Sequence, residues 1–165
     1  MPNLWMLHIN NADETKNLQQ EKDNLKILQD RMQGERQFDK VTLLTPLELA
    51  REPNRFMEQL KDIQKHDVLL VAGHGDEKQV VIGAKDGDKT DRHGNAAASY
   101  DVPGFINVYL SKVPEDVRPT VKIDLRSVCE SDGFAAGLRE EGYIAAGAAG
   151  GVRFDPTTFN PGDFQ

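Results

Sequence analysis

The chain has 165 residues, of which 38% are hydrophobic and 28% charged, and its formal net charge at pH 7 is −7. This composition indicates a single globular domain over residues 1–165 rather than a disordered chain. The negative charge argues against nucleic acid or an anionic membrane as partner, because both attract clustered Lys and Arg. With one cysteine no intrachain disulfide can form, which is typical of a reducing compartment.

The first half of the chain alternates between short apolar runs and amphipathic segments. Residues 4–9 predict a strand rather than a signal peptide, and no stretch approaches the roughly 18 apolar residues of a membrane span. We therefore expect a soluble protein. Apolar residues then recur at helical spacing up to Gly34, and the Lys and Arg residues of that helix predict a solvated face. The sequence further predicts a strand over 40–44, a mostly helical segment over 46–65, and a strand buried on both faces over 67–73.

The second half of the chain continues the alternation. Residues 80–84 could pair as a hairpin, and the polar residues 85–98 predict a mobile loop. Asp101 and Pro103 are start signals for a helix. A strand over 120–125, a second helix over 132–141 and a last strand over 143–149 follow. The alternation predicts an α/β fold with a mainly parallel, doubly wound sheet and helices on both faces.

Two residues with nucleophilic or basic character follow predicted strands, where open α/β sheets bind their ligands. His74 follows the buried strand, and Cys129 follows the strand over 120–125, just ahead of a helix. A neighbouring imidazole and a helix N-terminus both favour the reactive thiolate. The backbone N–H groups of Gly75 and Cys129 could stabilise an oxyanion. We therefore predict Cys129 as nucleophile and His74 as general base; His8, at the end of the first strand, could also face this edge.

The segments around these two residues are similar to a known family. VAGHGD at 71–76 and VKIDLRSVCE at 121–130 resemble the histidine and cysteine blocks of caspase-like (clan CD) cysteine peptidases, with 55 residues between His74 and Cys129. Among these, the self-processing domains of large bacterial toxins are the most similar. The resemblance implies a caspase-like sheet and a cysteine endopeptidase that cuts a protein or peptide, its own polypeptide included. It also implies action in the cytoplasm, or as a secreted effector or toxin in a host cytosol.

The resemblance also implies a pocket for the side chain that precedes the cut. Its walls would come from the loop after the first strand, with Asp13, from Ser127, and from the loop after the last strand, with Arg153. Asp13 would favour a basic substrate side chain, Arg153 an acidic one and Ser127 neither, so the preference stays open. Residues 147–151 are rich in glycine and predict a cleft wall formed by close backbone approach.

Cofactors and an inactive alternative complete the predictions. The toxin domains are activated by inositol hexakisphosphate, which this acidic sequence does not support, so we expect no cofactor. We expect no metal either, because residues 86–91 lack the spacing of an EF-hand and a single Cys forms no zinc site.

Arg126 and Val128 replace small or apolar residues of the family. A catalytically inactive binding or scaffold module of the same fold is therefore the alternative.

Overall fold

Five short apolar segments of this chain pair side by side into one parallel sheet. The computed structural model describes residues 1–8, 15–44, 58–73, 75, 77–83, 97–152 and 154–164. In chain order, the strands of this sheet are β1 (Leu4–His8), β2 (Val41–Leu44), β3 (Val68–Ala72), β6 (Lys122–Asp124) and β7 (Ile144–Ala146), and a separate antiparallel pair consists of β4 (Val80–Gly83) and β5 (Ala97–Tyr100). The sheet order is β2-β1-β3-β6-β7. The α/β class predicted from the sequence is confirmed.

The central strand β3 is buried along its whole length, as its uninterrupted apolar run predicts. Its side chains alternate between two hydrophobic clusters, one on each face of the sheet. Leu69 and Val71 belong to one cluster, and Leu70 and Ala72 to the other. The side chains of β1 and β3 are therefore covered on both faces of the sheet.

Helices cover both faces of the sheet. The long helix α1 (Thr15–Glu35) packs its buried residues Leu25, Leu28 and Met32 on one face. On the other face lie α2 (Val102–Val108) and α3 (Asp132–Glu140), with two 3₁₀ turns at Leu110–Lys112 and Arg118–Thr120. Asp101 caps α2 by accepting a 2.8 Å hydrogen bond from the Gly104 N–H, as its start signal predicts. Among the helices of the described residues, none is long and apolar enough to cross a bilayer.

Four sequence predictions require correction. Residues 97 and 98, predicted as part of a mobile loop, belong to strand β5, because backbone pairing with β4 outweighs their weak strand propensity. The remainder of that loop, residues 85–96, lies outside the described residues, as do His93 and the acidic segment at 86–91. The strand predicted over 143–149 is limited to β7, and the strand over 120–125 to β6. Ile27, predicted on the apolar stripe of α1, is 46% exposed.

The C-terminal segment, residues 154–164, packs against the same side of the sheet as α1. Phe154 and Phe159 pack on the cluster that α1 covers. Arg31 of α1 donates to the backbone oxygen atoms of Pro156 and Phe159, so it is part of an interface rather than of a solvated helix face. This corrects the prediction of a solvated face at Arg31, and Phe154 lies beside the carboxyl end of the sheet.

Candidate functional site

A cavity of about 260 Å³ lies at the carboxyl ends of β1 and β3. The order of the sheet reverses at these two strands, since β1 connects to β2 on one side and lies beside β3 on the other. Such a reversal opens a crevice that α/β proteins use for binding. The cavity is lined by residues from β1, α1, β3 and two loops: His8, Gln20, Glu21, Asn24, Leu25, Ala72, Gly73, Ser127, Cys129, Val152 and Phe154.

Cys129 lies in the wall of this cavity with its side chain partly exposed. Its sulfur accepts a 3.3 Å hydrogen bond from the Val152 N–H. The helix α3 begins directly after Ser131, so the thiol lies close to the positive end of that helix. Among the described residues, no acceptor forms a hydrogen bond with the backbone N–H of Cys129. The residue therefore presents a thiol and an N–H donor at the same place.

The loop that carries Cys129 is held by backbone and hydroxyl hydrogen bonds. Glu130, the next residue, has φ +55°, in the left-handed region that non-glycine residues rarely adopt. Its N–H donates to the Gly150 oxygen at 2.8 Å, and the buried Ser131 hydroxyl accepts from the Ala148 N–H at 3.0 Å. The same hydroxyl lies 2.7 Å from the backbone oxygens of Leu125 and Val128. These contacts join the loop to residues 147–152, and a strained residue held in this way is common at functional sites.

The close backbone approach predicted for residues 147–151 is confirmed at Gly147. A Cβ atom on Gly147 would lie 2.6 Å from the carbonyl carbon of Ser131 and closer still to its oxygen. We expect Gly147→Ala to displace the loop before α3, to lower the free energy of unfolding by about 1–3 kcal/mol, and to change the reactivity of Cys129.

The matched control for this prediction is Gly151→Ala. Among the described residues other than its chain neighbours, none has an atom within 4 Å of a Cβ on Gly151, so this variant should resemble the wild type. Urea denaturation and alkylation of Cys129 measure the two effects. Equal stability and equal thiol reactivity in both variants would show that the close approach at Gly147 does not position the loop.

His74 lies outside the described residues, but both of its neighbours in sequence are described. Gly73 lines the cavity and has φ +137°, a conformation that favours glycine. Gly75 forms an isolated bridge with Val80, and a Cβ there would lie 3.0 Å from Cγ1 of Val128. The residues on either side of His74 therefore contact the same region as Cys129 and its neighbour. Gly75, predicted as an oxyanion donor, packs against the loop that carries the other predicted donor.

The three residues predicted for the substrate pocket have different outcomes. Ser127 is buried in the cavity wall, and its hydroxyl donates to the Val71 backbone oxygen at 3.2 Å. Asp13 and Arg153 lie outside the described residues. Val152 and Phe154, the neighbours of Arg153, both line the cavity. Ser127 and the loop after the last strand thus contribute to one cavity beside Cys129.

The cavity also contains a residue pair of which the sequence analysis identified only His8, as a residue that could face this edge. His8 is 1% exposed at the end of β1, and its Nε2 lies 3.0 Å from Oε2 of Glu21 on α1. Nδ1 of His8 is buried and forms no hydrogen bond with any of the described residues. The sequence contains a signal for the position of Glu21. This residue continues the inward-facing stripe of Leu25, Leu28 and Met32 toward the start of α1, at helical spacing.

Among the described residues, no group of three or more His, Cys, Asp or Glu side chains could hold a metal ion. The cavity beside Cys129, at about 260 Å³, is smaller than the roughly 300–1,000 Å³ of most small-molecule sites.

Comparison with known proteins adds no relative: no protein family model, no curated protein and no solved structure matches this chain.

Proposed function

We propose that this protein is a cysteine endopeptidase in which Cys129 is the nucleophile and His74 the general base and acid. The observation that carries the proposal is the position of Cys129. Its partly exposed sulfur lies at the carboxyl edge of a parallel sheet, ahead of a helix, in a cavity that Gly73 also lines. Access and a helix N-terminus both favour an activated cysteine, and His74 would supply the partner imidazole.

The reaction follows from these groups. His74 takes the thiol proton, and the Cys129 sulfur forms a bond to the carbonyl carbon of the scissile peptide. The backbone N–H groups of Gly75 and Cys129 donate to the oxygen that becomes negative. The carbon–nitrogen bond then breaks, and His74 returns the proton to the leaving amine. A water molecule, deprotonated by His74, hydrolyses the acyl-enzyme and restores the thiol.

The proposal also includes membership of the caspase-like family, self-processing, and action in a cytosol. Arg126, which departs from the family pattern, has a structural explanation. Its guanidinium binds Asp124 at 2.9 Å and lies over the ring of Phe159, which belongs to the C-terminal segment. The departure at this position is therefore compatible with an active site, and the inactive scaffold module is the weaker alternative.

Replacement of His74 tests the proposal through its proton transfers. We expect His74→Ala to reduce turnover of a peptide library at neutral pH by about 10²–10⁴-fold or more, because thiol and leaving amine lose their proton partner. His93→Ala is the control and should stay within a few-fold of the wild type. Equal loss in both variants, or full activity in a folded His74→Ala protein, would contradict the assignment of His74.

A further inference from the structure

The segment between β3 and β4, residues 73–79, contains a tight turn. Gly75 forms a bridge with the first residue of β4, and a Cβ on Gly75 would lie only 2.8 Å from the backbone oxygen of Gln79. Such a close approach is possible because glycine has no side chain. Glu77 lies inside this closed turn. We therefore expect a displacement of Glu77 to move Gly75 as well, and with it His74, to which Gly75 is bonded.

This turn contacts the chain on both sides of Cys129. At Gly75 it packs against the buried Val128, since a Cβ on Gly75 would lie 3.0 Å from Cγ1 of that residue. At Glu77 it packs against Gly133, in the first turn of α3. One contact precedes Cys129 in the chain and the other follows it. Together they restrict both the distance and the tilt of the turn relative to the loop that carries the thiol.

Gly133 permits the second contact because it has no side chain. Apart from its chain neighbours and the backbone of α3, the three described atoms nearest to a Cβ on Gly133 all belong to Glu77: the oxygen at 3.1 Å, Cβ at 3.2 Å and Cα at 3.5 Å. Carbon atoms pack best at about 3.5–4.0 Å, so a methyl group at Gly133 requires a displacement. Glu77 is exposed, and the helix is anchored in the core by its fully buried residues, Phe134, Ala135 and Leu138. The turn, rather than the helix, should therefore move.

We propose that Gly133 is a positioning residue of this site: its missing side chain lets the turn at Glu77 lie against α3, and this contact sets the distance between His74 and Cys129. The inference rests on the proposed endopeptidase function, in which His74 exchanges protons with Cys129. That exchange requires hydrogen-bond reach, about 2.6–3.2 Å between heavy atoms in the reacting complex. Even a small displacement of the turn therefore acts on the thiol, through His74.

Two replacements of graded size test this inference. Gly133→Ala maintains α3, because alanine favours helices more than glycine does, and Gly133→Val adds more bulk toward Glu77. At pH 7, iodoacetamide should alkylate Cys129 about threefold more slowly in the alanine variant and about fivefold or more slowly in the valine variant, because the thiol is less well paired with the imidazole. The pH at which alkylation reaches half its maximal rate should rise in both variants, toward its value in His74→Ala.

Gly137→Ala is the matched control, since it makes the same substitution one turn later in α3. The described atoms nearest to a Cβ on Gly137 belong to Val102 of α2, with Cγ2 at 2.9 Å. This variant therefore disturbs the packing of α2 on α3 and leaves the turn at Glu77 in place. It should keep the wild-type alkylation rate, and circular dichroism verifies that all variants fold.

A double-variant cycle with His74→Ala separates positioning from a general effect on the structure. If Gly133 acts through His74, Gly133→Ala should change the alkylation rate by less than about 1.5-fold once His74 is absent. Where the wild-type thiol is alkylated rapidly, three results would overturn the inference and leave the endopeptidase proposal intact. These are an equal slowing with and without His74, an unchanged rate in both Gly133 variants, and an equal slowing in Gly137→Ala. If the folded wild type is alkylated no faster than the unfolded chain, the thiol is not activated, and both proposals fall together.

Discussion

Replacing Cys129 with alanine should abolish peptide hydrolysis and any self-cleavage while the protein stays folded. Loss of a nucleophile that works in concert with its base typically costs about six orders of magnitude in rate. The side chain removed is small and partly exposed, and it accepts one hydrogen bond, from Val152. We therefore expect the free energy of unfolding to change by less than about 1.5 kcal/mol.

Cys129→Ser is the companion variant, since it keeps an acceptor for the Val152 N–H but replaces the sulfur with a far weaker nucleophile. It should be as stable as the wild type and nearly as inactive as the alanine variant. Turnover assays and urea denaturation of all three proteins measure both effects. Turnover by a folded Cys129→Ala protein at the wild-type rate would exclude the mechanism.

Replacing Asp124 with alanine should be the most destabilising single change among the polar residues described. Asp124 is fully buried at the end of β6, where it accepts hydrogen bonds from the N–H of Gly162 and from the backbone and guanidinium of Arg126. The hydrogen bonds that Arg126 donates to Asp124 raise the pKa of Arg126 above its ordinary value, so the guanidinium stays charged. Removing Asp124 leaves the buried N–H of Gly162 without its acceptor and the partly exposed guanidinium without its partner, at a cost of about 1–3 kcal/mol.

The C-terminal segment should loosen in the same variant, because Gly162 loses its acceptor and Arg126 its fixed position over the rings of Phe159 and Phe164. Urea denaturation measures the loss of stability, and hydrogen exchange at residues 154–164 measures the loosening. Asp116→Ala, an exposed carboxylate, should change stability by less than about 0.5 kcal/mol. The double variant Asp124→Ala/Arg126→Met should recover part of the loss. Equal stability of Asp124→Ala and Asp116→Ala would contradict this account.

The fold could be predicted from the sequence wherever burial alone determines the pattern. The apolar run at 67–73 and the alternation at 120–125 each predicted a strand, and the structure has both, β3 and β6, as neighbours in the sheet. Strand β5 could not be predicted in this way. Its residues Ala97, Ala98 and Ser99 carry little strand propensity, and their conformation follows from pairing with β4.

The site could be predicted only in part, for a similar reason. Cys129 was found because it follows a strand and precedes a helix, and both features are local in sequence. The His8–Glu21 pair joins β1 to α1, and sequence spacing does not determine which helical side chain reaches the end of a strand. Glu21 on the inward stripe was the available signal, but a charged residue near a helix start is usually solvated. Asp124 and Arg126 likewise depend on residues 154–164, which carry no regular pattern.

The rate at which iodoacetamide alkylates Cys129 at pH 7 tests the central claim most directly, because the chain has a single cysteine. The unfolded chain in urea provides the reference for an unactivated thiol. If Cys129 and His74 form a catalytic dyad, the native protein should react at least about tenfold faster than the unfolded chain. His74→Ala should remove most of that advantage. A native thiol that reacts more slowly than the unfolded one, and equally slowly in His74→Ala, would contradict the dyad and favour the inactive module.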